Sequence, residues 1–219
     1  FAPLGTLAKA GDRVKRPILA RTLEKIASEG PESVYRGVIA EDIVESARRA
    51  GSRMVLRDLE DYRVRERTPL STTWGGKRVY TMPPPSAGGL TLVETLNMHD
   101  KNALVAQRYG SGAYWHLLAE TMRGANADRI RMLGDPDFVK VDVAALTSRD
   151  RMKARRARIL PHRTNPSESF QLREKGTHSL VVVDAAGNSI SVTTTVRSLF
   201  GARLMTRGGF MLNDALRDF

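Results

Sequence analysis

The hydrophobic pattern of this chain changes period at Thr177, inside the stretch REKGTHSLVVVD that runs from Arg173 to Asp184. A charged, polar loop ends at Gly176, and an apolar, β-branched run begins almost at once. Such a run bounded by turn residues reads as strand. The longer segment HSLVVVDAAGNSISVTTTV holds two of these runs, separated by Asp184-Ala185-Ala186-Gly187-Asn188. That predicts an antiparallel hairpin with Gly187 free to take positive φ. A third short strand is expected from Gly209 to Leu212.

Upstream of Gly176 the spacing is mostly helical. PILARTLEKIASEG places Leu19, Leu23, Ile26 and Ala27 on one face, with Gly30-Pro31 as a stop signal. PESVYRGVIAEDIVESARRAG repeats the pattern through Val34, Val38, Ile43, Val44 and Ala47, and ends at Gly51. A short helix is expected from Leu56 to Tyr62, and a strand from Lys77 to Met82 that Pro83, Pro84 and Pro85 must stop. After the turn Pro85-Ser86-Ala87-Gly88-Gly89, helical spacing returns through Leu90, Val93, Leu96 and Asn97. It continues in GAYWHLLAETMRGANADRIRML, and GDPDF from Gly134 to Phe138 reads as a turn cluster. Segment 159–176 reads as a loop. Helices followed by strands indicate an α+β or layered α/β protein.

Composition narrows the function classes. The chain has 219 residues and no cysteine, which excludes disulfides, thiolate metal sites and cysteine nucleophiles. His99, His116, His162 and His178 show no H-x-x-x-H spacing, so no metal site is expected. No membrane-length apolar run occurs. The opening FAPLGTLAKAGDRVKR has no apolar signal-peptide core, though the chain begins with Phe rather than Met. Net charge is +11, and its densest cluster is SRDRMKARRARILPHR, from Ser148 to Arg163. Arg149, Arg151, Lys153, Arg155, Arg156 and Arg158 there point around most of a helix with no aromatics between them. A nucleic-acid groove interleaves aromatics for stacking, so a solvated helix is the simpler reading. A non-catalytic basic binding module, tested by salt-dependent nucleic-acid binding, stands as the alternative from another class.

Seven segments in order resemble the gamma-glutamyltransferase family of N-terminal nucleophile hydrolases. They are GDRVKRPILARTLEKIASEG, VYRGVIAEDIV, LRDLEDYRVRERTPL, MPPPSAGGLTLVETLN, ADRIRMLGDPDFV, GTHSLVVVDAAGNSISVTTTVRSLFG and FMLNDALRDF. The resemblance implies an α+β, four-layer αββα fold, present here in part. Members extend beyond both ends of this stretch. By resemblance, the arginine that clamps the donor carboxylate precedes residue 1, and the oxyanion-hole glycines and nearby serines follow residue 219. It also implies self-cleavage at Gly176-Thr177, dividing a large-subunit region, 1–176, from a small-subunit region, 177–219, as a heterodimer. Thr177 then becomes an N-terminal nucleophile.

The chemistry suits that position. A threonine hydroxyl needs a base, and a freed α-amine, with a reference pKa of about 7.7–8.0, supplies one on the same residue. By resemblance, Thr195 is a second hydroxyl that orients Thr177, and Asp218 pairs with the donor's α-ammonium. Arg197 stands where the family carries Asn or an acidic residue, Ala215 where it carries Gln or Glu, and Arg217 where it carries an acid. An added cation at Arg197 suits a donor whose carboxylate has no ammonium beside it. The expected activity is therefore gamma-glutamyl hydrolysis or transfer on glutathione-like amides, with an acylase using a non-glutamyl donor as the alternative. No cofactor is implied. The family resemblance suggests a periplasmic or secreted protein.

Overall fold

The computed structural model describes residues 5–99, 106–165 and 177–218. The chain divides into two compact units, Phe1–Val64 with Arg173–Phe219, and Arg65–Leu172. This division does not follow the expected processing boundary, because the first unit joins chain from both sides of it.

In the first unit, α1 (Pro17–Glu29) begins with proline at its first helical position, where no amide donor is lost. It ends at Gly30, whose φ of 84° a side chain would resist. A 3-10 turn, Pro31–Val34, leads to α2 (Val38–Arg49), which supplies the core residues Ile39, Ala40, Val44 and Ala47. The expected faces are therefore partly corrected: Val38, Leu23 and Ala27 are exposed, while Leu19 and Ile26 are half-buried. Val38 lies off the buried face that Ile39, Ala40, Val44 and Ala47 form. A short α3 (Leu56–Glu60) follows, with Asp58 accepting the Val55 N–H at 2.9 Å.

The predicted hairpin forms from β3 (His178–Val183) and β4 (Ser189–Thr194), antiparallel, with His178 opposite Thr194 and Val183 opposite Ser189. Gly187 takes φ 85°, as its turn requires. The Asn188 side chain and then its backbone N–H bond to Asp184, which holds that carboxyl below its usual range. Both faces of the hairpin are exposed. The third strand expected at Gly209–Leu212 is instead one isolated bridge, Met205 to Met211. The chain between turns back on itself within a few residues, so only one pairing closes.

Residues 207–209 are tied to the helices. Asp42 accepts the backbone N–H groups of Arg207 and Gly208 at 2.9 and 2.7 Å, Thr22 Oγ1 donates to Gly208 O at 2.9 Å, and Arg16 donates to Gly209 O at 2.7 Å. Chain on either side of residues 176–177 is thus held together by noncovalent bonds.

The second unit opens with a hairpin of β1 (Leu70–Trp74) and β2 (Lys77–Thr81), turning on Gly75 and Gly76 at φ 58° and 76°. Sequence reading finds β2 and misses β1, because LSTTW is short and mostly polar. β1 is held from outside: Trp74 Nε1 donates to His99 O at 2.9 Å, and Thr72 Oγ1 to Asn97 Oδ1 at 2.5 Å. These partners lie in and just beyond α4 (Ala87–Met98), which packs on α5 (Gly112–Met132), α6 (Val143–Thr147) and α7 (Arg149–Ala157). Ser111, Asp142 and Ser148 cap the last three by accepting backbone N–H groups, the usual role of such residues before a helix. Leu90, Val93, Met98, Ala125, Leu146 and Met152 form the core.

The basic helix α7 is less solvated than its charge suggests. Arg151 and Arg155 both reach the nearly buried Asp128, at 2.8 and 2.7 Å. Fully buried Glu94 lies beside them, with Arg155 Nη1 at 3.7 Å. Burial, then the Asp128 charge, push Glu94 up to about 8, against the opposing pull of Arg155 and Arg151. Below its ordinary value of 4.5, Glu94 is protonated whether the chain is folded or unfolded. As pH rises toward 8, the unfolded chain releases that proton while the fold retains it, so stability falls across this window. Thermal unfolding of the full chain is expected to show Tm declining from pH 5 to pH 8, and Glu94→Gln, a neutral isostere, to flatten the decline. An unchanged slope in Glu94→Gln would remove Glu94 as its cause.

Candidate functional site

The hairpin register decides where the candidate hydroxyls meet. With His178 opposite Thr194, Thr177 and Thr195 stand one step beyond the paired ends of β3 and β4. Their Oγ1 atoms are 3.4 Å apart and both residues are exposed. Thr195 is the partner of the Thr177 hydroxyl among the described residues, and no carboxylate or imidazole contacts it. Among the described residues, a nucleophile here therefore has no side-chain base in contact.

Beyond Thr195 the chain makes a tight turn. Thr195 Oγ1 accepts the N–H of Arg197 at 2.8 Å, the short-range bond by which threonine stabilises a turn. Arg197 sits at φ 72°, in the left-handed region. Its guanidinium is mostly buried and lies 3.7 Å from the carboxylate of Asp214. Ser198 donates to the same carboxylate twice, from its N–H at 2.9 Å and from its hydroxyl at 2.6 Å. The N–H of Asp214 returns a bond to Val196 O at 3.3 Å.

Between these points the loop is laced by Ala202 N–H to Leu212 O and Leu212 N–H to Leu204 O, at 2.9 and 3.0 Å. Gly201 is required within it, since a Cβ there would lie 2.1 Å from Leu212 O. A 3-10 turn, Ala215–Asp218, completes the segment.

The residues singled out from sequence are thus only partly assembled. Thr195 and Arg197 share one turn, and Thr177 meets it from the opposite strand through the hydroxyl contact. Asp218 has its backbone in the 3-10 turn, and Gly176 lies outside the described residues. Sequence reading passed over Ser198 and Asp214. They sit sixteen positions apart in a segment with no periodic pattern, so no local signal joins them.

No group of three His, Asp or Glu side chains suited to a metal occurs among the described residues, and no helix among them is long and apolar enough to cross a membrane.

Helices with a few strands make a partial α+β fold, compatible with that of N-terminal nucleophile hydrolases. Residues 1–219 match the family model described as Gamma-glutamyltranspeptidase, and the chain belongs to that family. It is 39% identical over 216 residues to a glutathione hydrolase proenzyme of Pseudomonas aeruginosa, covering 96% of this chain and 39% of that one.

Among solved structures, the gamma-glutamyltranspeptidase of Helicobacter pylori matches with TM-score 0.67 and 35% identity, over 74% of this chain and 46% of that one. A cephalosporin acylase from Bacillus halodurans matches with TM-score 0.79 and 25% identity, over 97% of this chain and 38% of that one. The chain therefore spans about two fifths of the length of the curated relative.

Proposed function

We propose that this chain is part of a self-processing, threonine-dependent gamma-glutamyl hydrolase or transferase, with Thr177 as nucleophile. The observation that carries the reading is a strand-leading threonine whose hydroxyl lies 3.4 Å from a second hydroxyl, with no acidic or imidazole side chain in contact among the described residues. Such a site becomes competent when cleavage of Gly176-Thr177 frees an amine on the nucleophile itself.

In the precursor, Thr177 Oγ1 attacks the Gly176 carbonyl, the C–N bond breaks, and the acyl group moves to oxygen. Water hydrolyses the ester and leaves a Gly176 carboxylate and a free Thr177 amine. In turnover, the neutral amine takes the Thr177 hydroxyl proton as Oγ1 attacks the substrate amide. The resulting ammonium returns a proton to the leaving amine. Water or an acceptor amine then releases the acyl group. The bonds from Asp42, Thr22 and Arg16 to residues 207–209 would keep the two products associated. We assign Asp218 to the donor's α-ammonium and Arg197 to a donor carboxylate. A periplasmic or secreted location belongs to the same reading.

The acylase alternative is favoured by one observation, an arginine at position 197 on the turn that follows Thr195. Mass spectrometry of the full-length protein is expected to find a fragment beginning at Thr177. A gamma-glutamyl anilide is expected to be turned over about tenfold faster than the glutaryl anilide that lacks the ammonium. Preference for the glutaryl compound would favour the acylase, and an intact chain with full amidase activity would sink both.

A further inference from the structure

Asp214 is a carboxylate the reaction above does not use, yet it is bonded at several points to the turn beside the candidate site. Its side chain is only 10% exposed. It receives both donors of Ser198, stands 3.7 Å from the Arg197 guanidinium, and sends its own N–H to Val196 O. Three consecutive residues after Thr195 are thus gripped by one residue from a later segment.

That grip holds an otherwise unfavourable backbone. Arginine at φ 72° is strained, because its Cβ crowds the following carbonyl, and such a conformation persists only where its surroundings enforce it. The same conformation delivers the Arg197 N–H to Thr195 Oγ1 at 2.8 Å. A hydroxyl has one hydrogen and two lone pairs, so a fixed donor on one lone pair limits the directions left for the rest. Here that constraint bears on the Thr177 hydroxyl.

We infer that Asp214 is a positioning residue: through Ser198 and the strained turn at Arg197 it fixes Thr195 Oγ1 against the Thr177 nucleophile. The same carboxylate partly compensates the charge of the Arg197 guanidinium, 3.7 Å away. The inference rests on Thr177 being the nucleophile and adds a residue that touches neither substrate nor reacting atoms.

The test uses the full-length precursor carrying Asp214→Ala, Asp214→Asn, or Asp214→Ala with Arg197→Gly. The readouts are the half-time of cleavage before Thr177, and kcat and KM on a gamma-glutamyl anilide per titrated nucleophile. Asp214→Ala is expected to slow cleavage and lower kcat by about tenfold or more, with KM within about twofold. Asp214→Asn should recover most of both rates, because an amide can accept the Ser198 N–H and donate to its hydroxyl oxygen. The added Arg197→Gly should recover much of the cleavage rate, because glycine adopts φ 72° unaided and keeps the N–H that reaches Thr195. A role confined to overall stability would not produce that rescue.

Wild-type rates in Asp214→Ala would overturn the inference, as would an Asp214→Asn variant as damaged as Asp214→Ala. If Asp214→Ala does not fold, Ser198→Ala decides: slower cleavage at an unchanged melting temperature supports the latch, and an unchanged rate overturns it. Failure of the underlying reading looks different, since Thr177→Ala would then still be cleaved and active while Asp214 variants report on nothing at that residue.

Discussion

Thr177→Ala is expected to leave the full-length protein as one polypeptide and to lower its amidase turnover by about 1000-fold or more. Two losses coincide in this variant. The methyl side chain has no oxygen to attack the Gly176 carbonyl, so the amine at position 177 stays locked in an amide. That amine is also the proposed base, so a variant that remains uncleaved lacks both nucleophile and base. Thr195 offers only a second hydroxyl, and no acidic or imidazole side chain contacts Thr177 among the described residues. Thr177→Ser should retain some of both functions, because it keeps the hydroxyl and loses only the β-methyl. Intact-mass measurement and anilide turnover check both variants. A fragment beginning at residue 177 in Thr177→Ala would end the self-processing account.

The second large effect concerns two adjacent glycines at the start of α4. Gly89→Ala is expected to destabilise the chain by about 3 kcal/mol, through overpacking against atoms that cannot rotate away. A Cβ at Gly89 would lie 1.8 Å from Met82 O, 2.8 Å from Met82 C and 3.0 Å from Thr81 Oγ1. The first two are backbone at the end of β2, so relief requires the helix and the strand end to separate. Separation would pull α4 from its contacts with β1 and β2 and expose the neighbouring Leu90 and Val93. Gly88 meets nothing within 4 Å. Gly88→Ala should therefore stay within about 1 kcal/mol of the parent, on the favourable side, because alanine loses less backbone entropy in a helix. Thermal unfolding of the two variants side by side separates packing from helix propensity. Equal melting temperatures would remove the close approach at Gly89 as the reason for glycine there.

Glycine at 88 and 89 looks alike in the sequence, and both fit the turn expected there. Only the path of the strand above them makes one indispensable and the other replaceable. The same distinction runs through the candidate site. Thr195 was singled out beside Thr177 through the family resemblance, and the hairpin register, which puts residues of equal offset from the turn opposite each other, agrees with it. The helix caps at Ser111, Asp142 and Ser148 are local too, since each acts on an amide three residues away, yet the sequence analysis does not name them. β1 was not legible, because its polar residues are held by partners on α4 and just beyond it. The cations of α7 read as solvated until Asp128 on α5 was seen to gather two of them.

Local pattern determined the hairpin, its turn, most of the helices and the place of Thr177 at a loop-to-strand boundary, because these depend on dihedral preferences and contacts a few residues apart. Tertiary structure alone decided that Asp214 braces the turn after Thr195, that Glu94 is enclosed beside Asp128, and that Gly89 lies against Met82. Each of those joins segments separated by irregular turns or loops, and no residue pattern specifies where such segments meet until the backbone has closed around them.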